Sequence, residues 1–139
     1  VIANGDVVDA KTAKACLSQT HAAGLMVGRG AIGRPAVFGE IKVGLGWMER
    51  DDLPWIAAHD GDWDELSYVA QQFATRRWCW NRYIELARET TGLNLKSMRG
   101  HAVSFTKGLP SAKKIRNIMH GKQSREEFAQ ATSEFLATN

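Results

Sequence analysis

Residues 24–30 read Gly-Leu-Met-Val-Gly-Arg-Gly, and residues 1–6 read Val-Ile-Ala-Asn-Gly-Asp. Each stretch is a short apolar run that stops at turn-forming residues, Asn-Gly-Asp at 4–6 and Gly-Arg-Gly at 28–30. Short apolar runs bounded by Gly, Asn and Asp are typical of buried β-strands. The sequence therefore predicts two short strands in the first part of the chain.

Helical patterns lie between and after these strands. Asp9 can cap a helix over about residues 10–20, and Val37, Phe38, Ile41 and Leu45 recur at helical spacing over about residues 34–45. The order strand–helix–strand–helix predicts parallel strands in an α/β arrangement. Two strands in about 46 residues cannot bury a core alone. We therefore interpret residue 1 as internal to a longer protein, with the rest of the sheet upstream.

The second part of the chain is all-α by pattern. After an irregular segment at 47–63, four helical patterns follow with short loops, which is typical of a small bundle. Gly92 is the expected residue just beyond the first of these helices. The predicted helix starts are Asp62 with its capping-box partner Glu65, Asn94, Pro110, and Ser124 with Glu127. The predicted domains are 1–46, a linker at 47–63, and a helical domain at 64–139.

Composition limits the class of protein. The 139 residues are 44% apolar, which is enough for a core, and no apolar run approaches the roughly 20 residues that span a bilayer. Cys16 and Cys79 belong to no C-x-x-C pair and have no histidine cluster at metal-ligand spacing. We therefore expect free thiols in a reducing cytoplasm, with no metal and no membrane.

The charge is unevenly distributed. Residues 90–125 contain eight basic and no acidic side chains, whereas the rest of the chain has 10 basic and 15 acidic ones. Such a field attracts a polyanion, although a solvated helical surface is the alternative. The candidate nucleic-acid contacts are Arg99, His101, Lys107, Lys113, Lys114 and Arg116. Trp78 and Trp80 are candidates for base stacking, but Trp80 falls on an apolar stripe, which favours core packing.

The turns after the two strands form a candidate phosphate site. The carboxyl ends of parallel strands commonly carry the chemistry of a barrel, and glycines there let the backbone approach a ligand. Free N–H groups at a helix start also favour an anion. The candidates are Asn4, Gly5, Asp6, Gly28 and Arg29. Two ordinary turns remain the alternative.

Two separate motifs together resemble the tRNA-dihydrouridine synthase family. The first joins the Asn-Gly-Asp turn to the stretch at 24–35, Gly-Leu-Met-Val-Gly-Arg-Gly-Ala-Ile-Gly-Arg-Pro. The second is Met-Arg-Gly-His at 98–101, followed by Lys-Gly-Leu-Pro-Ser-Ala at 107–112 and Ile-Arg at 115–116. The resemblance covers residues 1–45 and 95–137.

The resemblance implies the last two βα units of a (β/α)8 TIM barrel, followed by a small four-helix bundle that binds tRNA. It implies that the FMN phosphate lies on Asn4, Gly5, Asp6, Gly28 and Arg29, and that NADPH reduces the flavin. The reduced flavin then converts uridine to 5,6-dihydrouridine in tRNA. The catalytic cysteine of the family lies upstream and neither cysteine here matches it, so we expect these 139 residues alone to be inactive.

Two other readings are compatible with the sequence. One is an FMN-dependent TIM-barrel oxidoreductase that acts on a small molecule, with helices that serve only for oligomerisation. The other is a non-enzymatic RNA-binding module. Salt-sensitive tRNA binding would argue against the first, and bound flavin would argue against the second.

Overall fold

The structure, a computed structural model, describes residues 1–90, 94–122 and 124–138. The chain divides into two compact units, Val1–Ala58 and His59–Asn139. The proposed boundaries at 46/47 and 63/64 remain predictions.

The first unit contains the two predicted strands. Strand β1 (Ile2–Asn4) and strand β2 (Gly24–Met26) pair in parallel, and helix α1 (Ala10–Thr20) connects them. Asp9 caps α1 through a capping box with Thr12, whose backbone N–H donates to Asp9 Oδ1 at 2.7 Å. The strand prediction, the parallel pairing and the Asp9 cap are therefore confirmed.

Helix α2 (Val37–Gly44) packs against α1 over a small apolar core. Val37 and Ile41 of α2 are buried with Val7 and Ala13. The two helices meet closely at the end of α2, because a Cβ added at Gly44 would lie 2.2 Å from the Cβ of Ala10. The packing thus requires a residue without a side chain at this contact.

Phe38, which shares the helical spacing of Val37 and Ile41, has a side chain that is about half exposed. Phe38 follows Val37 by one residue, so it points about 100° away from the helix face that packs on α1. Helical spacing in the sequence did not distinguish the buried Val37 from the half-exposed Phe38. The predicted helix also begins earlier than α2, which starts at Val37 after turns at 33–36.

The segment after α2 is compact. It forms a short 3-10 turn (Arg50–Asp52) and a one-turn helix α3 (Pro54–Ala57). Leu53 and Trp55 are buried there, and a Cβ at Gly39 would lie 2.7 Å from Leu53 Cδ2 and 2.8 Å from the Trp55 ring. This part of the segment therefore packs on α2 within the first unit.

The second unit contains four longer helices: α4 (Tyr68–Glu89), α5 (Leu95–Thr106), α6 (Ala112–His120) and α7 (Arg125–Ala137). Helix α7 contacts each of the other three. Phe73, Trp80 and Phe128 are fully buried, and Trp80 Nε1 donates to the carbonyl oxygen of Ala129 at 3.3 Å. The prediction that Trp80 is a core residue is confirmed.

The start of α4 differs from the prediction. Asp62 caps only a 3-10 turn (Trp63–Glu65), after which Leu66 is extended. The helix is capped instead by Ser67, whose hydroxyl accepts a hydrogen bond from the N–H of Ala70. The residue that caps α4, Ser67, thus lies five residues after the predicted cap. Gly92, the expected end of this helix, lies outside the described residues.

The other helix starts are close to the predictions. Asn94 caps α5, and Ser124 forms a capping box with Glu127 at the start of α7. Pro110 does not open α6, which begins at Ala112 after Ser111 adopts a left-handed φ of 60°. Within the described part of the chain, no helix is both long and apolar enough to cross a membrane.

Candidate phosphate site and candidate nucleic-acid interface

The parallel register brings the two candidate turns together. Asn4 pairs with Met26, so the residues after β1 and after β2 leave the sheet at the same edge. They surround a cavity of about 320 Å³. The lining residues are Asn4, Gly5, Asp6, Val7, Val8, Met26, Gly28, Arg29 and Gly30. All five candidate phosphate ligands therefore border one cavity.

Arg29 and Asp6 form an ion pair at the mouth of this cavity. The distance from Arg29 Nη2 to Asp6 Oδ1 is 2.5 Å, and both side chains are more than four-fifths exposed. Asp6 adopts a left-handed φ of 43°, a conformation that Asp tolerates better than most residues. An exposed pair contributes at most about 1 kcal/mol to stability, and here it lies with the guanidinium beside the cavity.

The backbone of the second turn also borders this cavity. Residues Arg29–Ala31 form a 3-10 turn, whose first N–H groups have no partner within the turn. Gly30 lies against the first turn, because a Cβ there would be 2.5 Å from the carbonyl oxygen of Val7. Gly30, Val7, Val8 and Met26 were not among the predicted site residues. Only the Gly-Arg-Gly stretch at 28–30 offered a sequence signal for any of them.

The six candidate nucleic-acid contacts are all exposed in the second unit. They are Arg99, His101, Lys107, Lys113, Lys114 and Arg116. Arg99 Nη2 donates to the carbonyl oxygen of Lys122 at 3.2 Å, which fixes the guanidinium at the end of α6. Arg99 and Arg116 also line one cleft of about 200 Å³. Helices α5 and α6 thus bring together two candidates that are 17 positions apart in sequence.

His101 is exposed yet packed. Its Nδ1 is 2.8 Å from the Tyr83 hydroxyl, and the two rings meet edge to face with centroids 5.1 Å apart. Burial raises the pKa of Tyr83, so the phenol stays protonated at neutral pH. His101, a candidate nucleic-acid contact, thus packs against Tyr83 within the helical unit.

Two arginines of α4 bind groups of the protein itself. Arg76 is half-buried, and its Nη1 donates to the carbonyl oxygens of Phe105 at 2.9 Å and Lys107 at 2.7 Å. Arg82 pairs with Glu85 at 3.0 Å. Arg76 thus binds the free carbonyl groups at the end of α5, and the adjacent loop carries Lys107.

The cysteines and metal-binding side chains offer no additional centre. Cys79 is buried and Cys16 is half-buried, and neither forms a disulfide bond. No group of three His, Cys, Asp or Glu side chains within 1–90, 94–122 and 124–138 is arranged to hold a metal ion.

Comparison with known proteins identifies the family. The model of the family described as dihydrouridine synthase (Dus) matches residues 1–139. The chain therefore belongs to the dihydrouridine synthase family, which agrees with the resemblance carried by its two motifs.

Individual relatives point to the same family. The chain is 29% identical, over its whole length and 39% of the relative, to "Probable tRNA-dihydrouridine synthase" of Rickettsia conorii. It is 27% identical to "Probable tRNA-dihydrouridine synthase 1" of Synechocystis, over 99% of the chain and 34% of the relative. A 42-residue stretch, 30% of the chain and 13% of the relative, is 55% identical to "tRNA-dihydrouridine synthase B" of Yersinia pestis. The chain thus spans less than two-fifths of the length of these relatives.

Proposed function

We propose that this chain is the C-terminal part of a tRNA-dihydrouridine synthase, an oxidoreductase that reduces uridine to 5,6-dihydrouridine in tRNA. The observation that supports this most strongly is the family match over all 139 residues, together with five candidate phosphate ligands around one cavity. In this proposal residues 1–46 are the end of a (β/α)8 barrel, 47–63 a linker, and 64–139 a four-helix tRNA-binding domain.

The cavity at the strand ends fits the phosphate of FMN. Arg29 offers a guanidinium, the 3-10 turn offers backbone N–H groups, and Gly5 has open space around it, since a Cβ there would meet no atom within 4 Å. The carboxylate of Asp6 repels a phosphate, but paired with Arg29 it serves to orient the guanidinium. FMN, reduced by NADPH, would supply the hydride for the uracil ring.

The chain's own role at this end of the site is to bind and orient. Asn4 ends β1 and Asp6 follows it, while Gly28 and Arg29 follow β2, so the paired strands keep both halves of the proposed phosphate cradle at fixed spacing. Such positioning from strand ends places a ligand more reproducibly than free loops would. Neither cysteine lines this cavity, and neither matches the catalytic cysteine of the family, so in this proposal another part of the enzyme supplies the proton for the second carbon of the uracil ring.

The helical unit provides the proposed grip on tRNA. A uridine inside folded tRNA must leave its stack to be reduced, and unstacking costs a few kcal/mol. Phosphate contacts from exposed lysines and arginines can offset such a cost. The described part of 90–125 exposes such side chains without any acidic residue among them.

The test uses the complete protein that contains this chain. Purified enzyme, unmodified tRNA and NADPH are incubated, and dihydrouridine is measured by mass spectrometry of the digested RNA. We expect a yellow protein and dihydrouridine in the product. The 139-residue chain alone is the matched control, and we expect no turnover from it.

Other outcomes favour the alternative functions. A yellow protein that leaves tRNA unchanged and binds it without salt dependence would support a small-molecule flavoenzyme. A colourless protein that binds tRNA would support a non-enzymatic RNA-binding module. Turnover by the 139-residue chain would overturn the claim that it lacks the catalytic centre.

A further inference from the structure

The cleft between α5 and α6 combines a basic rim with an apolar floor. It is lined by Arg99, Val103, Arg116, Met119, His120 and Phe128. Arg99 and Val103 are four residues apart on α5, and Arg116 and His120 are four apart on α6, so each pair lies on one face of its helix. These two faces meet over the buried side chains of Met119 and Phe128.

The size of the cleft limits what it can hold. Its volume of about 200 Å³ is below the roughly 300–1,000 Å³ typical of pockets for drug-sized ligands. It therefore suits one ring-sized group. Val103 is 39% exposed, which is consistent with an apolar wall that a flat ring can contact.

The charge of the cleft points to an anionic occupant. Arg99 and Arg116 contribute two permanent positive charges to the cleft. The carboxylate of Glu127, which precedes Phe128 on α7, accepts a hydrogen bond from the Ser124 N–H at the start of that helix. The hydrogen bond from Arg99 to the Lys122 carbonyl holds the guanidinium plane in place before a ligand arrives. A fixed guanidinium can both stack on a base and bind a phosphate oxygen.

We propose that this cleft binds a single unpaired nucleotide of the RNA, with its base against Val103 and its phosphate on Arg99 and Arg116. This inference rests on the proposed function and deepens it by naming what the basic surface recognises. A paired duplex keeps its bases stacked inside and presents mainly phosphates and ribose to the protein, so it would leave the exposed side chain of Val103 without a contact. The cleft therefore selects RNA with an extruded base.

The test compares two RNA hairpins that have equal length and equal charge. One carries a single bulged uridine, and in the other the bulged nucleotide is abasic, so only the base differs. Affinities of the complete protein are measured by fluorescence anisotropy at one fixed salt concentration. We expect the uridine hairpin to bind about tenfold more tightly, as stacking of one base contributes on this scale.

Three variants locate the effect. Val103→Trp fills the cleft without changing its charge, and we expect it to remove the preference while the abasic hairpin binds within about twofold of wild type. Asn117→Trp adds the same side chain at an exposed position of α6 outside the cleft and should keep the preference. Arg99→Lys keeps the charge without the planar guanidinium and should reduce the preference several-fold.

Circular dichroism melting of each variant checks folding, and Arg99→Lys provides a second result if Val103→Trp fails to fold. Equal affinity of wild type for the two hairpins, or a preference that survives Val103→Trp, would overturn the inference. Neither result bears on dihydrouridine formation, which is measured separately on intact tRNA. If neither hairpin binds, both this inference and the proposed tRNA grip fail.

Discussion

Asp6 and Arg29 lie at matching ends of two parallel strands, and their side chains meet across the turns with Arg29 Nη2 2.5 Å from Asp6 Oδ1. The pair is 23 residues apart in sequence, and only the strand register brings it together. Because both groups are well exposed, the pair is better suited to orienting a ligand-binding cation than to stabilising the fold.

Arg29→Ala should therefore reduce flavin binding far more than stability. Loss of a charge-assisted hydrogen bond to phosphate costs about 1.5–3 kcal/mol, so we expect the complete protein to lose FMN affinity by tenfold or more. Flavin absorbance per mole of protein, followed during titration with FMN, measures this. Lys42→Ala removes an exposed cation of α2 outside the cavity and is the matched control. Unchanged FMN affinity in Arg29→Ala would contradict the proposed phosphate site.

Alanine at two helical glycines should change stability in opposite directions. Gly44→Ala places a Cβ against Ala10, and overpacking of this kind costs about 1–3 kcal/mol. Gly100→Ala in α5 meets no atom within 4 Å and should stabilise the helix by about 0.5–1 kcal/mol. Urea unfolding monitored by circular dichroism distinguishes the two. If Gly100→Ala also weakens tRNA binding, RNA approaches α5 closely at this position.

The Asp9 cap of α1 should make the stability of the fold depend on pH in the acid range. Hydrogen bonds from the Thr12 backbone and side chain hold the pKa of Asp9 below its ordinary value. Asp9 thus stabilises the fold fully above about pH 4, and this contribution is lost as the pH falls through the lower pKa of the folded state. Asp9→Asn, which keeps a capping side chain, should flatten the acid limb of a melting-temperature profile between about pH 2 and 5. An unchanged slope would show that Asp9 does not titrate differently in the folded chain.

Arg76 should link helix stability to RNA binding. Its guanidinium donates hydrogen bonds to the Phe105 and Lys107 carbonyls at the end of α5. A hydrogen bond from a charged donor contributes about 1.5–3 kcal/mol to the free energy of unfolding. We expect Arg76→Ala to lower the free energy of unfolding by about this amount and to weaken tRNA binding. Arg77→Ala, at an exposed neighbouring position, should do neither beyond a small charge effect. Calorimetry and anisotropy on the same preparations separate the two effects.

Features decided by nearby residues were predictable from sequence. Asp9, Asn94 and Ser124 were identified as caps because a capping side chain bonds to backbone N–H groups two or three residues away. The two strands and the candidate phosphate site followed from apolar runs ending in turn residues. Asp62 was misassigned because two capping residues lay close together, and pattern alone does not rank them.

Features that depend on contacts across the fold were not predictable. Arginine is usually a surface residue, so the sequence gives no sign that Arg76 binds carbonyl groups. That contact depends on the packing of α4 beside the end of α5. The cleft shared by Arg99 and Arg116 likewise needs the relative placement of α5 and α6. Helix α6 begins at Ala112, two residues after Pro110, because Ser111 adopts a left-handed φ. That conformation belongs to the turn at 107–111.

The exposed basic side chains of α5 and α6 also affect how purified protein should behave. Any nucleic acid that binds the folded helices better than the unfolded chain raises the melting temperature as its free concentration rises. Protein carrying RNA from the expression host would therefore melt higher, and show more absorbance at 260 nm, than protein washed in high salt. Stabilities of variants such as Arg116→Ala are comparable only between samples stripped of nucleic acid, since the substitution would otherwise change the amount of bound contaminant as well as the fold.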